Sequence, residues 1–302
     1  MTKLTNKSPK FIREFAISMK SRKEAMVYSW LSVIGLFITY RGLPPTILLL
    51  KVFFAMTGTA LGVYLYNDIC DLEADMTRSK IVDLTPASRP LCRGLVSKRR
   101  MGVFSALLLV LGLTASALIN IEVLMIQFIF LMLGLFYSVK PIRLKRVFLM
   151  KQVITMMGGA IACLSAGLAA GTITVQLLYL TGLYVLCTAG IGPLYDLKDI
   201  ESDRIGGIKT IPIVWGSRFT IRLALATFTV SAATMWIGFY GLGFNIVLPI
   251  LGTLVLVSLV YVVYPLLGRL MDHEYVLKAL YSRVIPLMFL LQFTVFLGSL
   301  SF

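Results

Sequence analysis

The chain has 302 residues, 58% of them hydrophobic and 14% charged, with a mean hydropathy of +0.87. Soluble domains run at roughly 45–50% apolar and about a quarter charged, so this balance excludes a water-soluble globular protein. It points to an all-α, polytopic membrane protein folded as one bundle. The formal net charge of +15 does not indicate a nucleic-acid partner, because the basic residues fall between the apolar stretches, where they face a membrane surface.

Residues 1–24 are basic and polar, with no short apolar run followed by a cleavage site. They read as a cytoplasmic lead-in. A helix crossing the bilayer takes about 20 mostly apolar residues. Nine candidates follow, at 25–40, 45–66, 101–119, 123–138, 147–170, 174–194, 219–240, 246–267 and 284–300. The first is short, and only Asn120, Ile121 and Glu122 divide the third from the fourth. Lys and Arg number seven before residue 24, seven in 67–100, four in 140–146, four in 196–218 and three in 268–283. The connections on the other side contribute only Arg41. By the positive-inside rule, the N-terminus and the segments 67–100 and 196–218 are expected on the cytoplasmic side.

The second span ends in Asn67-Asp68-Ile69-Cys70-Asp71-Leu72-Glu73-Ala74-Asp75, and the sixth in Asp196-Leu197-Lys198-Asp199-Ile200-Glu201-Ser202-Asp203. Asp68, Asp71 and Asp75 map onto Asp196, Asp199 and Asp203 with a constant offset of 128. This echo predicts two four-helix halves with a ninth helix appended. On a helix, positions 0, 3 and 7 lie within about 60° of each other, so each triplet would share a face. Eight of the fourteen acids lie in these two stretches. Like charges crowded on one face repel unless a cation neutralises them. Oxygen-only ligands suit a hard ion such as Mg²⁺, which bridges carboxylates to phosphates. Asn67, Asp68, Asp71, Asp75, Asp196, Asp199 and Asp203 are therefore the candidate metal ligands.

Other chemistries find little support. The four cysteines have no paired or metal-ligand spacing, and His273 is the only histidine, which argues against a histidine-based metal site or triad. Basic residues, by contrast, gather near the acids. Arg78, Lys80, Arg89 and Arg93 follow the first cluster, Arg204 and Lys209 the second, and Tyr137 and the run 140–146 lie on the same side. Acids that hold Mg²⁺ beside cations that hold anions describe a diphosphate site. Arg78, Lys145 and Lys209 are the cations chosen for it, while Lys98, Arg99 and Arg100 read as surface anchors.

Asn67, Asp71 and Asp75 at four-residue spacing, with Asp68, resemble the first signature of the UbiA-type intramembrane prenyltransferases. Asp199 and Asp203, with Asp196 ahead, resemble the second, and Arg89-Pro90-Leu91 with Gly94 resembles a further family segment. Residues 83–87 depart from the Asn-rich run expected there. The likeness covers essentially the whole chain as a single domain. It implies two motifs facing each other across a central cavity, with Mg²⁺, two ions, bridging the diphosphate of a polyprenyl donor. It also implies an apolar tunnel open to lipid and transfer of the isoprenyl group, by ionisation to an allylic cation, to an aromatic or glycerol-phosphate acceptor. By position Asp71, Asp75, Asp199 and Asp203 inherit the central role, and Asn67, Arg22, Tyr137, Lys145 and Lys209 that of holding the diphosphate. Aromatics at Phe53, Phe54, Tyr64 and Tyr66 are candidates for the tunnel wall.

Two other readings stay open on the residues alone. An ion-coupled transporter also uses acids in or near spans, although here they sit at span ends on one side. A CDP-alcohol phosphotransferase-like enzyme also uses Asp-rich spans, but its opening motif is absent. Small residues crowd the fifth span, from Gly158 to Gly171, and predict close helix contact. Gly190 and Gly192-Pro193 predict a break, kink or end just before the second motif.

Overall fold

The computed structural model describes residues 9–81, 89–269 and 273–300, except for the side chains of residues 74, 77–81, 202 and 273. Thirteen α-helices follow in chain order: α1 (Lys10–Ser21), α2 (Met26–Tyr40), α3 (Thr46–Ile81), α4 (Lys98–Ala117), α5 (Ile121–Ser138), α6 (Met150–Ala169), α7 (Val175–Asp196), α8 (Ile200–Ile205), α9 (Ile211–Val214), α10 (Ser217–Gly241), α11 (Val247–Val263), α12 (His273–Ala279) and α13 (Ile285–Ser299). No strand occurs among the described residues. Eight stretches are long and apolar enough to cross a membrane. The expected first span is the helix α2, only 15 residues long. Eight of the nine stretches read from the sequence thus lie on helices long and apolar enough to span, and the first lies on the shorter α2. The protein is a multi-pass membrane protein.

Polar residues at the joints explain why the chain turns where it does. Asn120, the only strong punctuation between the third and fourth spans, accepts from Val123 N at 2.8 Å and so caps α5. Its amide also donates to Leu168 O at 2.9 Å, tying that turn to the end of α6. Ser97 caps α4 and Thr174 caps α7 in the same way. Neighbours then pack in a closed ring, from α2 and α3 through α4 to α7, on to α10 and α11, and back through α13 to α2. Phe104, Phe228, Leu31, Leu61, Leu177 and Leu180 are fully buried inside. Val110, Met125, Phe128, Leu254 and Val257 stand exposed on the outside, as lipid-facing residues do.

The small residues of α6 do bring helices together. A Cβ on Gly159 would lie 1.8 Å from the Tyr184 ring of α7, and Tyr184 is itself buried. Overpacking of this kind costs about 1–3 kcal/mol. Gly159→Val should therefore lower the thermal midpoint of the purified protein in detergent, whereas a substitution at Gly182, beside open space, should leave it in place.

Of the break, kink or end expected before the second motif, the structure shows an end at the first acid of that motif. α7 runs without interruption through Pro193 to Asp196. Gly190 serves packing instead, since a Cβ there would fall 2.1 Å from Thr227 Oγ1 and 2.7 Å from Ala224 Cα of α10.

The N-terminal lead-in holds a helix that the sequence reading left unassigned. Phe11 and Phe15 of α1 pack edge-on against Phe104 of α4, with ring centroids 5.0 and 5.2 Å apart. Arg100, taken above for a surface anchor, pairs instead with the buried Glu14 of α1. The polar lead-in is thereby pinned across the motif end of the bundle.

Candidate active site

α3 continues for 36 residues. Roughly its first 20 suffice to cross the hydrocarbon core, so the first motif begins where that core ends. Asp68, Asp71 and Asp75 are all buried, at 2%, 6% and 2% exposure. Charges hidden this far from water need partners, and each has one. The chain turns out of α1 at Arg22, whose Nε donates to Asp68 Oδ2 at 2.9 Å while Nη2 reaches Oδ1. This is a bidentate guanidinium–carboxylate pair. Arg89 Nη1 lies 3.3 Å from the same Oδ1 and pairs with Asp75. Arg143 Nη2 donates to Asp71 Oδ1 at 2.8 Å, and Lys145 Nζ bonds that same oxygen. Asn67 donates to Ser138 Oγ at 2.7 Å.

The second motif follows the same plan on a different scaffold. α7 ends at Asp196, a 3₁₀ turn spans Leu197–Asp199, and α8 carries Asp203. Lys151 Nζ, from the first turn of α6, lies 2.7 Å from Asp196 Oδ1 and 3.2 Å from Asp203 Oδ2. Gln152 Nε2 donates to Asp196 Oδ2 at 2.6 Å. Asp199 is the most exposed of these acids, at 22% of its side chain, and pairs with Lys198 at 2.6 Å.

Five motif acids thus meet five cations: Asp68, Asp71, Asp75, Asp196 and Asp203 against Arg22, Arg89, Arg143, Lys145 and Lys151. In each motif one cation spans the first and last acids, Arg89 in the first and Lys151 in the second. Lys145 Nζ sits 5.6 Å from the ring centroid of Tyr137.

Burial and pairing act differently on the two cations that lie outside the spans. Burial works against the charge of Arg22, but the Asp68 carboxylate outweighs it and holds the guanidinium above its ordinary value. Burial pulls the Lys145 ammonium below the usual lysine value in spite of Asp71. Lys145 is therefore a poorly solvated cation, ready to gain from an anionic partner.

Behind the acids lies an aromatic cluster. Tyr28 packs against Tyr64 and Phe130, with centroids at 6.3 and 5.1 Å. The Arg22 guanidinium stands 5.6 Å from the Tyr64 ring centroid. Of the four aromatics proposed for a tunnel wall, Tyr64 belongs to this cluster, while Phe54 is exposed on the outer face.

The donor set fits Mg²⁺ in kind, being carboxylate and amide oxygens only. Among the described residues no three acids, cysteines or histidines form a ready-made cage, so phosphate oxygens would complete the shell. A polar guest is also indicated by Arg143 Nε and Gln152 Oε1, which are buried beside the motif acids without a hydrogen-bond partner. Each is an expensive vacancy in the hydrogen bonding of a closed site.

The structure brings together Arg22, Asn67, Asp68, Asp71, Asp75, Tyr137, Lys145, Asp196, Asp199 and Asp203 at one end of the bundle, around the two motifs. Lys209 is exposed and joins no ion pair among the described residues. The side chain of Arg78 and the segment 82–88 lie outside the described residues. Sequence reasoning overlooked Arg143, Lys151 and Gln152. Lys151 had a signal, since a lysine inside an apolar span asks for a buried acid.

The model of the UbiA prenyltransferase family matches residues 28–282. The bacteriochlorophyll synthase 34 kDa chain of Chloroflexus aurantiacus is 28% identical over 201 residues, which cover 64% of this chain and 59% of that one. The digeranylgeranylglyceryl phosphate synthase of Sulfurisphaera tokodaii is 27% identical over 190 residues, 62% of this chain and 64% of that one. The match thus spans about three fifths of these curated relatives. Among solved structures, one of digeranylgeranylglyceryl phosphate synthase superposes with a TM-score of 0.70 at 22% identity, covering 96% of this chain and 99% of that one. A UbiA homolog from Archaeoglobus fulgidus bound to GPP and Mg²⁺ superposes with a TM-score of 0.64 at 13% identity, covering 95% and 99%. These likenesses establish a shared fold.

Proposed function

Since the chain belongs to the UbiA prenyltransferase family, we propose that it transfers an isoprenyl group, with Mg²⁺, from a polyprenyl diphosphate to an acceptor within the membrane. The observation that carries this reading is the pairing of five buried motif acids with five cations at one end of a lipid-embedded bundle. The positive-inside count puts that end on the cytoplasmic side.

The reaction breaks the C1–O bond of the donor, and both electrons leave with the diphosphate. The allylic cation then forms a bond to a nucleophilic carbon or oxygen of the acceptor, which loses a proton. Asp71, Asp75, Asp199 and Asp203 are the residues that would hold Mg²⁺, which when bound would supply charge neutralisation of the leaving group. Arg22, Arg143, Lys145 and Tyr137 hold the diphosphate oxygens, with Arg78 and Lys209 assigned to the rim. The positive charge of Arg22, Arg143 and Lys145 is already in place, so the charge that develops on the leaving oxygens meets groups that need not reorganise. Asn67 is fixed through Ser138. The rings of Tyr28, Tyr64 and Phe130 exclude water from the cation and offer it π-faces.

The two kinds of relative carry different acceptor types in their names, so the test must span both. Purified protein in nanodiscs is incubated with Mg²⁺, prenyl diphosphates of several lengths, and a panel of aromatic and glyceryl-phosphate acceptors. A prenylated product by mass spectrometry, absent when EDTA is added, is the expected result. Diphosphate release with no alkylated product from any acceptor would count against transfer.

A further inference from the structure

α3 and α4 touch closely at one level and part at another. A Cβ on Gly58 would fall 2.7 Å from Gly112 N, and one on Gly112 would fall 2.5 Å from Thr59 N. The backbones meet there, as small residues allow. Toward the end of the bundle opposite the motifs, larger side chains follow and the pair opens into a groove of roughly 280 Å³. Ile47, Leu50 and Phe54 of α3 line it together with Leu111 and Ala115 of α4 and Leu118 at the end of that helix. All but Ala115 stand exposed, so the groove is open to lipid.

One charge interrupts these apolar walls, because Lys51 lines the same groove. The apolar run of α3 begins at Ile47. Lys51 therefore stands about 6 Å inside the boundary of the hydrocarbon, where a cation is costly unless it is matched. Its Nζ donates to Leu118 O across the groove at 2.8 Å. That bond uses one of three N–H donors and leaves the net charge without an anion. No carboxylate pairs with Lys51 among the described residues. Glu122, the one acid in the connections at that end, heads α5 and makes no ion pair among the described residues either.

We propose that the α3–α4 groove binds an anionic phospholipid from the leaflet opposite the motifs, with one acyl chain between the helices and the headgroup phosphate on Lys51. The phosphate accepts from the remaining donors of the ammonium and supplies the missing negative charge. The Gly58–Gly112 contact closes the groove at its inner end. Lys51 lies about 24 Å along α3 from Asn67, so this site is separate from the two motifs and does not depend on the reaction proposed for them.

The test maps where lipid binds. Full-length protein in phosphatidylcholine nanodiscs receives a trace of phosphatidylglycerol or of phosphatidylcholine, each carrying a diazirine in one acyl chain. After irradiation, peptide mass spectrometry locates the adducts. Phosphatidylglycerol is expected to label residues 47–54 and 111–118 roughly fivefold more than phosphatidylcholine, the gain from one cation near the membrane surface. Lys51→Met should remove that preference and Lys51→Arg should keep it. Thr114→Trp, which places a large ring in the groove, should lower labelling by both lipids. Lys98→Met, at the motif end, should change nothing at these residues. Equal labelling by the two lipids in the wild type, an unchanged preference in folded Lys51→Met, or unchanged labelling in Thr114→Trp would overturn the proposal and leave an unselective lipid-facing furrow. Absence of adducts in the groove with either lipid would also overturn it, and would give this face to a second copy of the chain. If Lys51→Met fails to fold, the wild-type contrast and Thr114→Trp still decide.

Discussion

Asp71→Asn should reduce prenyl transfer by at least about 10³-fold, equivalent to roughly 4 kcal/mol of lost transition-state stabilisation, while the protein remains folded. The substitution keeps the shape of the side chain and removes one negative charge. Two things then fail together. Asp71 Oδ2, which makes no hydrogen bond or ion pair among the described residues, no longer ligates Mg²⁺ as a carboxylate, and Arg143 and Lys145 lose the anion that aligns them. Their buried charges would turn toward the diphosphate in the ground state, which favours binding and not ionisation. The measurement is product formation with saturating Mg²⁺ alongside circular dichroism and size-exclusion profiles. Glu73→Gln supplies the control, since Glu73 lies two residues away on the same helix with its side chain 91% exposed. It should retain activity within about twofold. Equal losses in both variants would mean that general acidity of this stretch matters and the geometry of Asp71 does not.

Arg22→Met should destabilise the fold by about 3–5 kcal/mol, the cost of leaving a buried carboxylate without its partner. Asp68 is 2% exposed and both of its oxygens are engaged by this one guanidinium. Arg89 remains 3.3 Å away but is shared with Asp75. The double variant Arg22→Met, Asp68→Asn should recover a large part of the loss, because the uncompensated charge is gone. A thermal-unfolding cycle over the four proteins reads the coupling directly. Coupling near zero would place Arg22 in ligand binding alone and not in the scaffold.

The sequence showed the helices well because lipid imposes a simple rule on them. About 20 apolar residues, punctuated by Asn120 or a basic run, can do little else in a bilayer. The acids were legible for the opposite reason: matched charges at span ends have few uses. What stayed hidden were the partners. Arg22 meets Asp68 across 46 residues and Lys145 meets Asp71 across 74, and spacing along the chain carries no trace of such contacts. Lys151 was passed over because it lies inside an apolar span, although that position made it informative. α1 was missed because a basic composition masked the recurrence of Phe11, Phe15, Ser18 and Met19 on one face. The packing role of Gly190 was not legible, because the Gly192-Pro193 pair just beyond it drew the reading toward a helix break, whereas Gly190 admits the backbone of α10.

The unbroken length of α3 has a mechanical side. A helix of 36 residues is a rod about 54 Å long, and Asp68 stands roughly 33 Å along it from the far end. Helices answer changes in bilayer thickness by tilting. A change of about 5° would sweep Asp68 through roughly 3 Å, on the scale at which misplaced groups lose catalysis. The lipid bilayer is in this sense a gauge, and its thickness sets how closely the acids on α3 register with those on α7.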